Sequence, residues 1–78
     1  MDKKKFDAVF PIICSSLVQK IASEYMLDDT SAIQKLYTSK LYDYLEREET
    51  KFWQYSTEKL FELWDEEIKH GKFTFPQI

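Results

Sequence analysis

The side chains able to do chemistry are few: one cysteine, one histidine and fourteen carboxylates. His70, the one histidine, has the side-chain chemistry of a general base. However, no Ser or Cys stands at a spacing that would make it the base of a nucleophile. Its place beside Gly71 is that of a helix C-terminal residue, where a cation suits the dipole. Cys14 falls on the apolar half of a helical pattern and reads as a buried, inert thiol. A reactive thiolate would need cationic neighbours that the sequence does not supply. One Cys and one His cannot build a zinc site from those ligands alone, and a single glycine leaves no Gly-rich phosphate loop. Asp65, Glu66 and Glu67 are consecutive, and Glu46, Glu48 and Glu49 form a second group. Adjacent helical residues point around the axis rather than at one another, so both groups read as solvated faces. The expectation is a chain with no catalytic residue, no metal, no cofactor and no small-molecule substrate.

The remaining candidates are aromatic. Six Phe, five Tyr and two Trp make up 17% of 78 residues. Each buries roughly 150–250 Å² when packed, more than so short a chain can hold inside, so some of them should form a contact surface. The group Phe52, Trp53, Tyr55 and Trp64 reads in three ways: as core, as protein interface or as a stacking platform. Taken as an interface, the partner contact would be carried by Thr50, Phe52, Trp53, Tyr55 and Trp64. The partner is another protein or a second copy of the chain. Net charge is −3, and the basic residues are interleaved with acids, which argues against nucleic acid. Lys3, Lys4 and Lys5 before the apolar run Phe6–Val18 resemble a signal peptide, but Asp7 and Pro11 interrupt it. No run approaches the ~20 apolar residues of a membrane span, and a cytoplasmic location is expected.

Positioning such residues falls to helices. Phe6, Phe10, Ile13, Leu17 and Ile21 recur at spacings of three and four and predict a helix over 7–27, with Pro11 tolerated in a first turn or marking a kink. Ser31 with Gln34 fits a capping box for a helix over 31–37, with Ile33, Leu36 and Tyr37 facing inward. Residues 31–48 read either as one continuous helix or as two, the second capped by Ser39 and running over 40–48; the break is preferred. Glu46–Lys51 is a charged connection and 52–55 a short turn. Ser56 caps a last helix over 57–70, Asp65 pairs with Lys69, and Gly71 closes it in the left-handed conformation. The tail, 72–78, is extended, with Phe73 or Phe75 folded back on the core. The fold class is therefore all-α: a compact bundle of about four helices, two longer and two short, in one domain over 1–71.

The pattern Ala32-Ile33, then Leu36-Tyr37-x-Ser39-Lys40-Leu41-Tyr42, then Leu45-Glu46-x-Glu48-Glu49-Thr50-Lys51-Phe52-Trp53, then Ser56, Leu60, Glu67 and Gly71, resembles short uncharacterised bacterial proteins encoded beside predicted toxins in toxin–antitoxin-like operons. The resemblance implies a small cytoplasmic helical protein with a protein partner and carries no catalytic residues. The expected function is a non-catalytic interaction module, accessory or antitoxin-like, although the chain lacks the long charged tail by which many antitoxins wrap a toxin. A small regulatory DNA-binding protein using the helices at 31–48 is the alternative. An enzyme subunit completing a partner's active site is a third.

Overall fold

The computed structural model describes residues 2–73. Among them, α1 (Asp2–Tyr25), α2 (Asp29–Tyr37), α3 (Lys40–Leu45) and α4 (Thr57–His70) carry the chain, with 3-10 turns at Glu48–Thr50 and Phe52–Gln54 between α3 and α4. No strand occurs among the described residues, so the domain is all-α.

α1 begins five residues before the start expected from the apolar spacing and carries Pro11 inside it. Pro11 is exposed, so the Asp7 carbonyl that loses its N–H partner stands on a solvent-facing side of the helix. The Lys3–Asp7 ion pair at 3.7 Å spans the first turns. The helix stops at Tyr25, short of Leu27, because Met26 turns left-handed at φ 55° and the Leu27 N–H returns to the Ala22 carbonyl at 2.9 Å. That closure normally takes a glycine.

α2 starts at Asp29 with Asp28 as its N-cap, two residues before the expected Ser31. Its inner face also differs. Ala32 and Leu36 are fully buried, whereas Ile33 and Tyr37 are 38% and 50% exposed. The break between α2 and α3 is real and centres on Ser39. Its hydroxyl donates to the Leu36 carbonyl at 2.6 Å and accepts the Tyr42 N–H at 3.1 Å. α3 is shorter than expected, ending at Leu45, because the chain tightens into the turn Glu48–Thr50. α4 has the expected Ser56 cap, which accepts the Lys59 N–H, and ends at Gly71 with φ 79°.

Leu17 and Ile21 of α1, Leu36 of α2, Leu41 and Leu45 of α3, and Leu60 and Trp64 of α4 are fully buried and form the centre. Phe73 packs onto it from beyond α4, while Phe75 lies outside the described residues. The longest dimension, 37 Å, is that of α1, about 36 Å at 1.5 Å per residue. The stretch Lys3–Tyr25 holds an 18-residue window of mean hydropathy 1.2 and by length and composition alone could cross a membrane. In this fold the same helix supplies Phe6, Leu17, Val18 and Ile21 to the core.

Candidate functional site

The aromatic group expected to meet a partner faces inward. Phe52 and Trp53 are each 5% exposed and Trp64 is fully buried. Trp53 meets Phe6 edge-on at 5.8 Å between ring centres, and its indole N–H donates to the Glu48 carbonyl at 3.0 Å. Phe52 stacks on Tyr44 at 5.6 Å and meets Tyr55 and Phe73 edge-on. Trp64 packs against Tyr25 at 5.0 Å and reaches the Lys35 carbonyl at 3.4 Å. The Thr50 hydroxyl lies 2.6 Å from the Tyr44 carbonyl and 2.9 Å from that of Arg47, and it accepts the Phe52 N–H at 3.3 Å. Thr50 therefore ties the turn to α3. Tyr55 is half-buried on the rim. The structure thus brings Thr50, Phe52, Trp53 and Tyr55 together, as the core of one end of the domain, and leaves Trp64 in a separate packing group with Tyr25 and Phe61. The rings of Phe52, Trp53 and Trp64 cannot be a docking surface while the domain is folded.

The carboxylates are also engaged, which corrects the solvated-face expectation for two of them. Glu67 caps a distant helix: its carboxylate accepts the Lys40 N–H at 2.7 Å and the Leu41 N–H at 3.0 Å. With Ser39 taking the Tyr42 N–H, three amide donors in the first turn of α3 are satisfied by side chains. Asp65 accepts the Tyr25 hydroxyl and pairs with Lys69 at 3.0 Å. These bonds hold the Asp65 carboxyl below the usual range, the Tyr25 contact most strongly. The same hydrogen bond, then burial, pushes Tyr25 up to about 12. This is an arrangement that keeps the phenol protonated rather than one that activates it. Burial pushes the Cys14 thiol up to about 11, the opposite of what a nucleophile needs. No group of three potential metal ligands occurs among the described residues.

An opening that the sequence reading did not anticipate lies between α1 and α2. It is a groove of about 530 Å³ lined by Phe10, Pro11, Cys14 and Val18 of α1 and by Ile33 and Tyr37 of α2, with Ser15, Gln19 and Asp29 at its edges. Tyr37 is held in place by stacking on Tyr42 at 4.6 Å. Ile12, 65% exposed, lies three residues from Ser15 and seven from Gln19, so helical spacing puts it beside the same rim. The lining is mainly apolar, with Ser15, Gln19 and one carboxylate among it, a composition suited to packing against another apolar surface. One signal was present in the sequence: α2 carries apolar residues at 32, 33, 36 and 37, two adjacent faces where a single core contact uses one.

The pair α2–α3 has the break that a helix-turn-helix reading expects, but α3 presents Asp43 beside Lys40 on its exposed side, with the exposed Glu46 directly after its end, acids that would oppose phosphates. A smaller hollow of about 370 Å³ is lined by Glu24, Tyr25, Phe61, Asp65 and Lys69, whose polar groups already pair with one another or, for Glu24, with Lys20. No family model, curated protein or solved structure matches the chain.

Proposed function

We propose that this chain is a non-catalytic protein-interaction module, and that its contact surface is the α1–α2 groove rather than the aromatic group at 50–55. The observation that carries the reading is the contrast in exposure. Ile12, Ile33 and Tyr37 stand open around one apolar groove, while Phe52, Trp53 and Trp64 are buried. Scattered apolar residues on a surface need no explanation, but a contiguous lined groove is the usual form of a docking site. The resemblance within 32–71 supports a bacterial, cytoplasmic setting as an accessory or antitoxin-like component of an operon. The residues that carry that resemblance are largely those that build the fold: Ser39 and Glu67 cap α3, Thr50 and Trp53 tie down the turn, and Gly71 ends α4. The pattern also includes Ile33 and Tyr37, which line the groove, so it covers scaffold and groove alike.

The test is affinity capture from the native host with the wild-type chain and with Ile12→Gln/Ile33→Gln. A stoichiometric partner, either a second copy or another protein, should be held by the wild type and released by the folded double variant. Equal capture by both would place the contact elsewhere.

A further inference from the structure

The groove is open along one side of α1, and its two ends carry opposite charges. At the α2 end, Asp29 is the charged member of the lining, with Asp28 next to it in sequence. At the other end, the exposed Lys4 precedes Pro11 by seven residues and Ser15 by eleven, and so falls on the same face of α1 as those two lining residues, beside Asp7, whose carboxylate pairs with Lys3 at 3.7 Å. Between them run Ala8, Pro11, Ser15 and Gln19, with Ile12 beside them, a strip whose small members let another helix approach closely. Such a face is self-complementary. A copy turned end for end about the middle of α1 sets Lys4 of each chain toward Asp29 of the other, twice, and lays groove against groove and the exposed Ile12 of one copy toward that of the other. Isologous pairing of this kind is the commonest closed symmetry.

Resting on the interaction reading above, we infer that the occupant of the α1–α2 groove is a second copy of this chain, in an antiparallel two-fold dimer across α1 with Lys4 and Asp29 as its reciprocal charge pairs. The charges favour this occupant over an anionic bilayer, which Lys3–Lys5 would attract but Asp28 and Asp29 at the other end of the same face would repel.

The experiment is sedimentation equilibrium of the full chain at low and high salt, with Lys4→Glu, Asp29→Lys and the double exchange. Lys4 and Asp29 are both exposed surface positions, and circular dichroism verifies that each variant is folded. The wild type should be a dimer that weakens as salt rises. Each single reversal should weaken it about tenfold at low salt, since two symmetric pairs change at once, and the double exchange should restore it. A monomer at every concentration overturns the proposal, as does a dimer that ignores all three variants. A monomer that binds anionic vesicles also overturns it. A monomer that holds a different protein through Ile12 and Ile33 overturns the second-copy assignment while leaving the interaction reading intact, so the two failures are distinguishable.

Discussion

Two apolar regions of this molecule meet solvent in opposite ways. At the turn region, Phe52, Trp53, Tyr44 and Phe73 close on one another, and both the Thr50 hydroxyl and the Trp53 indole find backbone partners. At the α1–α2 groove, Ile33, Tyr37 and Ile12 stay open although core is available one helical position away at Ala32 and Leu36. Aromatic content alone would rank the first region as the interface. Exposure ranks the second. A density of large side chains in a short chain measures how much core it needs, and only the unfilled face measures what it offers a partner.

The sharpest way to break the comparison is Trp53→Ala. If the turn region is core, the variant loses about 3–5 kcal/mol, as much as a domain this small nets from its core. Urea unfolding should find it largely unfolded, rather than folded and merely unable to bind. A folded Trp53→Ala with a near wild-type midpoint would return the aromatic group to the surface. Glu67→Ala comes next. It frees the Lys40 and Leu41 amides that its carboxylate accepts and should cost about 1–2 kcal/mol, read as a lower urea midpoint with the slope unchanged.

A third effect sharpens the picture by pH. Tyr25 is raised from 10.0 to about 12 and Cys14 from 9.0 to about 11. Both protons are held more tightly folded than unfolded. Their stabilisation is therefore complete below pH 9–10 and is lost as pH rises through the folded values. Asp65 is lowered, so its contribution is present above the ordinary carboxylate range and is lost as pH falls through its folded value. Melting temperature against pH should fall on the alkaline side, and Tyr25→Phe should flatten the upper part of that fall and the acid limb as well. An alkaline limb identical in Tyr25→Phe and wild type would mean the Tyr25–Asp65 bond contributes nothing. The smallest stability effect belongs to the groove: Ile12→Gln and Ile33→Gln should each change unfolding free energy by no more than about 0.5 kcal/mol.

How much was legible follows the range of each cause. Ser39, Ser56 and Gly71 act on backbone within a turn of themselves, and each does in the structure what its local sequence suggests. The start of α1 is not legible in the spacing because the cost of Pro11 is eased where water can reach the freed Asp7 carbonyl, and the residue type does not say which side of the helix faces solvent. Ile33 and Tyr37 were placed inward because their spacing of four fits one face, but Ala32 and Leu36 share that spacing, and only the packing of α2 on α1 chooses between the two faces. Glu67 was read as a solvated carboxylate because its partners, the Lys40 and Leu41 amides, are distant in sequence. The groove was invisible for the same reason: it belongs to two helices at once.

The most direct measurement is sedimentation velocity of Ile12→Gln/Ile33→Gln beside wild type, alone and with any captured partner, with a thermal melt on the same samples. The account predicts a wild-type complex, and a double variant that melts with the wild type but runs as a free monomer. A wild type with no complex of either kind, or a folded double variant that still assembles, would contradict it.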